Sequence, residues 1–170
     1  MKQHKGMRPH DVVILLKIIT LKDQQWLAKD LAQTLNISAS EVSESLNRSK
    51  LASLISADKR QVMKKNLLDF LEHGLKYVYP VDPGVIQRGM ATAYSAPPLN
   101  KYIQGDEHYV WPYGHGEQRG QTIEPFHPNV PEACKNDPKL YELLALVDAI
   151  RLGRVREQQL AVDELKQRIL

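Results

Sequence analysis

Apolar positions recur at helical spacing through most of the first seventy residues. Arg8-Pro9-His10-Asp11 opens a helix, with the proline in the first turn, where a missing N–H costs little. Val12, Leu15, Leu16 and Ile19 follow along one face. Asp23 caps a second helix in which Leu27, Leu31 and Leu35 recur every four residues, with Ala28 and Ala32 beside them. Asn36-Ile37-Ser38 breaks that pattern. Ser38 or Ser40 then caps a third helix, with Glu41 placed three residues after Ser38 as in a capping box, and Val42 and Leu46 as its apolar stripe. A fourth helix is predicted from about Asp58, with Met63, Leu67, Phe70 and Leu71 on one face, to a stop at Gly74.

Beyond Gly74 the texture changes. Leu75-Lys76-Tyr77-Val78-Tyr79 alternates like a strand, Asp82-Pro83-Gly84 signals a turn, and Val85-Ile86-Gln87-Arg88 reads as the return strand. Residues 91–136 hold six prolines and four glycines, which forbids long regular elements. They also hold Tyr94, Tyr102, Tyr109, Trp111, Tyr113 and Phe126, so a loop region pressed on a core is expected. Asn136 or Asp137 caps the next helix, Pro138 opens it, and Leu140, Leu143, Leu144, Val147 and Ile150 supply its apolar face. Gly153 bends or ends it, and a last helix carries Leu160, Leu165 and Ile169. The expected architecture is therefore α+β. A helical head with a hairpin occupies 8–90, an extended loop region 91–136, and a helical segment for dimerisation or partner binding 137–170.

The segment from Asp30 to Leu46 carries the functional signal. Two helices crossing at a wide angle need a small residue on the first, here Ala32. The tight turn needs a residue that tolerates positive φ, and Asn36 does. Ile37 plugs the junction, while Val42 and Leu46 pack the second helix back on the first. These spacings resemble helix-turn-helix regulators, and with the next helix and hairpin, over roughly 10–90, the winged subclass. Asn36 stands where that pattern most often has glycine. The resemblance implies a recognition helix over 39–50 lying in the major groove of double-stranded DNA. Its outward side offers Ser40, Glu41, Ser43, Glu44, Asn47, Arg48 and Lys50. Arg48 suits guanine, Asn47 adenine, and Glu41 or Glu44 cytosine. Lys50, Lys59, Arg60, Lys64 and Lys65 suit phosphates, and Arg88 on the wing a minor groove or the backbone. Two carboxylates on such a face would repel phosphate, which keeps open a winged-helix interaction module that binds no DNA.

Charge is consistent with a nucleic-acid-binding head. Residues 1–90 carry 14 Lys/Arg against 9 Asp/Glu, and residues 91–170 carry 9 against 11. Hydrophobic residues make up 42% and charged residues 25%, which argues against wholesale disorder. Lys17 interrupts the longest early apolar run, too short to span a bilayer, so no membrane association and a cytoplasmic location are expected. The single cysteine, Cys134, excludes an intrachain disulfide.

No catalytic or cofactor chemistry is expected. His108, His115, His127 and Cys134 lie seven, twelve and seven residues apart, against ligand spacings of about two to five in structural zinc sites. Gly114-His115-Gly116 and Arg119-Gly120 lack a following Lys-Ser/Thr pair, and Ser95 has no nucleophile-elbow context.

Arg88-Gly89-Met90-Ala91-Thr92-Ala93-Tyr94-Ser95-Ala96-Pro97-Pro98-Leu99 and the segment Leu146–Glu157 resemble AbiEi-type antitoxins of bacteria. That resemblance implies a DNA-binding head paired with a nucleotidyltransferase-like protein toxin, and repression of its own operon. A homodimer is expected as well, because helix-turn-helix proteins commonly read two half-sites one helical turn apart.

Overall fold

Residues 5–170 are described in a computed structural model of the chain. The fold is α+β. Helices α1 (Pro9–Leu21), α2 (Ala28–Leu35) and α3 (Ala39–Leu51) come first. Pro9 occupies the first turn of α1, and the Asp11 carboxylate accepts the Arg8 N–H at 2.8 Å, satisfying one of the free donors at the helix start. Helix α2 begins later than Asp23 suggested. Its start is set by Asp30, whose carboxylate accepts the Leu27 N–H at 2.8 Å. Asn36 adopts the left-handed conformation (φ 52°, ψ 47°) that ends α2, Ile37 is buried behind it, and Ser38 Oγ accepts from the Glu41 N–H to start α3.

After α3 the chain makes a tight excursion. Ile55 bridges Val62 antiparallel, Ser56 N–H donates to the Gln61 carbonyl at 2.8 Å, and Met63 N–H to the Leu54 carbonyl at 2.9 Å. That ladder occupies the stretch where the fourth helix was expected to begin. Helix α4 (Lys64–Asp69) instead runs through a π-helical turn (Phe70–Gly74) into α5 (Leu75–Val78). Gly74 therefore does not stop it, and 75–79 is not a strand. Leu67, Leu71 and Leu75 are all fully buried at four-residue spacing, and this helical stripe outweighs the local alternation of Leu75–Tyr79.

The hairpin expected between 75–79 and 85–88 does not form. Strand β1 (Ile86–Ala91) pairs antiparallel with both β2 (Tyr109–Pro112) and β3 (Gln118–Thr122), while β2 and β3 pair in parallel, so the three strands close on themselves. Closure demands close backbone approach. A Cβ on Gly116 would lie 2.1 Å from the Gly89 carbonyl oxygen, and one on Gly89 2.0 Å from that of Trp111. The 91–136 region thus contains two strands, and β1 crosses its expected boundary at 90/91.

Helices α6 (Val130–Lys135), α7 (Pro138–Leu152) and α8 (Val155–Ile169) complete the chain. Asp137 Oδ1 accepts the Leu140 N–H at 3.1 Å and caps α7, with Pro138 at its first position; Gly153 ends it. Every residue from Leu143 to Ile150 is buried, because α7 is surrounded by α1, α5, α6, α8 and the turn at 93–95. The apolar face of α7, part of the 137–170 segment expected to serve dimerisation or partner binding, is buried in the chain's own core. One core cluster runs from Val12 to Ile169.

Asp148 ties the sheet to that core. Its Oδ2 accepts from Thr92 Oγ1 at 2.7 Å and from Trp111 Nε1 at 2.6 Å, and its Oδ1 from Arg151 at 2.8 Å. Burial pushes this carboxyl up, against the opposing pull of Arg151 and the two neutral donors. Arg151 donates also to the Tyr79 and Glu124 carbonyls and lies 4.3 Å over the Phe126 ring, so one side-chain pair fastens four segments to α7. No described helix is long and apolar enough to cross a membrane.

Candidate nucleic-acid interface

Helix α3 presents two chemically different sides. Val42, Ser45, Leu46, Arg48 and Ser49 face inward, while Ser40, Ser43, Glu44, Asn47 and Lys50 are exposed. The division follows helical geometry: residues three and four apart share a face, and the apolar pair Val42 and Leu46 fixes which face meets the core.

Arg48 corrects the sequence reading. It was expected outward, against guanine, yet only 9% of its side chain is exposed. Its Nε donates to Asp11 Oδ2 at 2.9 Å and its Nη2 to Asp11 Oδ1 at 2.8 Å, a two-point clasp between α3 and α1. Nη2 also donates to Glu41 Oε1 at 2.9 Å. The physical reason is Asp11, which is fully buried and needs a cation, and Arg48 is the cation that reaches it.

Glu41 is likewise turned from the reading face. Its Oε1 lies 2.7 Å from His10 Nε2 and 3.7 Å from Arg8 Nη1, besides Arg48. With the His10 proton on Nε2, that ring donates to Glu41. The hydrogen bond from Arg48 holds the Glu41 carboxyl below its ordinary value, more than burial raises it, and His10 adds to the lowering. The second carboxylate expected to repel phosphate is therefore neutralised by its own neighbours, and Glu44 remains the one exposed carboxylate of α3.

Four of the expected site residues have partners that qualify their roles. Lys59 Nζ donates to Asn47 Oδ1, so a bidentate contact of Asn47 with adenine requires that oxygen to be released. The Arg60 guanidinium donates to the Trp26 carbonyl at 2.9 Å and lies 5.4 Å from that ring's centre, which ties the 54–63 excursion to the start of α2. Ser40 Oγ lies 3.2 Å from Ser38 Oγ. Lys50, Lys64 and Lys65 are exposed without an ion pair among the described residues. Arg88 does not join this group; it belongs to β1, in the sheet anchored on α7.

Sequence reasoning missed Asp11 and His10, which stand 37 and 31 residues before their partners Arg48 and Glu41. The available signal was an aspartate beside Val12 at the start of a helix otherwise buried on most sides. The ring of His127 meets His10 edge-on at 5.9 Å, and burial pushes its titration down. Among the described residues no group of three His, Cys, Asp or Glu is placed to hold a metal ion.

The chain matches no family model, and no curated protein or solved structure matches it.

Proposed function

We propose that the chain is a sequence-specific regulator that binds double-stranded DNA, with α3 in the major groove. The observation that carries this reading is the α2–turn–α3 unit: Asn36 in the left-handed conformation, Ile37 sealing the junction, and a polar outer face of Ser40, Ser43, Glu44, Asn47 and Lys50. With Arg48 and Glu41 occupied by α1, base reading falls to Asn47, Ser43 and Glu44. Lys50, Lys64 and Lys65 supply phosphate contacts. The ladder of residues 54–63, with Lys59 at its tip, serves as a minimal wing directly after the reading helix. Two copies would place two such helices on half-sites one helical turn apart.

The reading is tested by gel-shift titration against the region upstream of the protein's own gene and a scrambled duplex of equal length, at two salt concentrations. Specific binding is expected, and Asn47→Ala should reduce the preference for the correct duplex by about 1–3 kcal/mol. Equal, weak binding to both duplexes overturns it.

A second reading has its own support. Leu51, the last residue of α3, is 66% exposed and Met63, just before α4, is 44% exposed, which suits contact with a protein. The AbiEi-like resemblance supplies a candidate partner class, a nucleotidyltransferase-like toxin encoded nearby. Co-purification of such a neighbour, disrupted by Leu51→Lys, would favour this reading over the regulator.

A further inference from the structure

Arg88 and Arg119 face each other directly across the β1–β3 ladder. In an antiparallel pair, directly opposed side chains leave the same face, about 5 Å apart at Cβ. Two like charges so placed repel one another, and among the described residues neither guanidinium has a hydrogen bond or an ion pair. Three buried or half-buried arginines are paired with carboxylates, Arg48 with Asp11, Arg151 with Asp148 and Arg168 with Glu142, whereas Arg88 and Arg119 are exposed. The three strands contain no Asp or Glu at all, and these two arginines are their only charged residues.

The ladder's shape isolates the pair. Ile86, Gln87 and Arg88 are all exposed, so this end of β1 stands in solvent on both sides. On the opposite face, Gln87 meets Gly120 and Gly89 meets Gln118, which leaves that side without charge. The donors offered are guanidinium and amide groups with no neighbouring carboxylate in the strands. That set suits phosphodiester oxygens, which accept from arginine forks without presenting sequence information.

We propose that the β1–β3 ribbon is a second grip on duplex DNA, with Arg88 and Arg119 each on a backbone phosphate. The inference rests on the DNA-binding reading above and adds to it a sequence-independent contact outside the α2–α3 unit and its wing.

The test is the salt dependence of affinity for the upstream duplex, measured for the wild-type chain, R88Q/R119Q, R88K/R119K and Asn47→Ala. Each phosphate contact contributes about 0.9 to the slope of log affinity on log salt. The R88Q/R119Q slope should fall by about 1.8, with affinity for the upstream and scrambled duplexes reduced by the same factor. R88K/R119K should keep the wild-type slope, and Asn47→Ala should lose preference with its slope unchanged. An unchanged slope in a folded R88Q/R119Q chain, checked by circular dichroism, overturns the ribbon contact and leaves the α3 reading standing. No binding of any duplex by the wild-type chain overturns both.

Discussion

Arg48 on α3 clasps Asp11 on α1 through two hydrogen bonds of 2.9 and 2.8 Å, with the aspartate fully buried. The pair joins the helix with the outward polar face to the helix that touches both α2 and α7. Its strength is asymmetric: removing either partner strands a charge in the interior, whereas replacing both with apolar side chains removes two desolvation costs together.

Asp11→Ala is therefore expected to cost about 3–5 kcal/mol, measured by urea unfolding. The double change Asp11→Leu with Arg48→Met should cost clearly less than the sum of the two single changes. Strict additivity in that cycle would mean the clasp carries no coupling. Arg48→Ala should also weaken any DNA binding, through displacement of α3, so it cannot serve as a test of base reading.

The network continues to Glu41, and that part titrates. Its folded-state pKa lies below the ordinary 4.5 because of Arg48 first and His10 after it, against burial. A depressed carboxylate contributes stability that is present above its unfolded pKa and lost as pH falls through its folded pKa. Urea midpoints should accordingly decline below about pH 4.5, and Glu41→Gln should reduce that decline while lowering stability at neutral pH. An identical acid profile in the variant would place the acid-sensitive group elsewhere.

Ser45 and Ser49 lie on the inner side of α3, and both hydroxyls are buried without a protein hydrogen-bond partner among the described residues. Alanine is the better helix former and carries no hydroxyl to desolvate. Ser49→Ala is expected to raise stability by about 1 kcal/mol, seen as a higher thermal midpoint. A fall of similar size would show that the hydroxyl is satisfied after all.

The closed three-stranded unit depends on backbone approach at Gly89 and Gly116. A Cβ at Gly116 would overlap the Gly89 carbonyl, which is backbone and cannot rotate aside. Gly116→Ala should destabilise by about 1–3 kcal/mol, as overpacking does, and should broaden the amide signals of β1 in an NMR spectrum. Gly114, with nothing near its Cβ position, is the control: Gly114→Ala should leave both measurements within error.

Much of the helical organisation was legible in the chain itself. Pro9, Asn36, Ser38, Asp137, Pro138 and Gly153 mark helix starts and stops where the structure has them, because capping and turn chemistry act within four residues. Val42 and Leu46 face inward as their spacing implied. The aromatic residues between 91 and 136 were correctly read as pressed on a core in the case of Trp111 and Phe126, while Tyr102 remains exposed.

The candidate site was legible as a location and misread in its chemistry. Periodicity placed Asn47, Lys50, Ser43 and Glu44 on an outer face, where they are. Glu41 and Arg48 looked equally available, and no local rule distinguishes an outward guanidinium from one bound to an aspartate 37 residues away.

What the sequence determined by itself is the start of α1, the turn between α2 and α3, and the caps of α3 and α7, since those interactions close within a turn or two of the chain. Tertiary structure decided three things. It paired Arg48 with Asp11, and it carried the helix through Gly74 to Val78 on the buried stripe of Leu67, Leu71 and Leu75. It also gave β1 its partners from residues 109–122 in place of 75–79. In the first two cases charge pairing or burial across the core outweighed a local preference worth about 1 kcal/mol or less, and in the third backbone pairing with strands distant in sequence did so, because these interactions act between whichever groups the fold brings together.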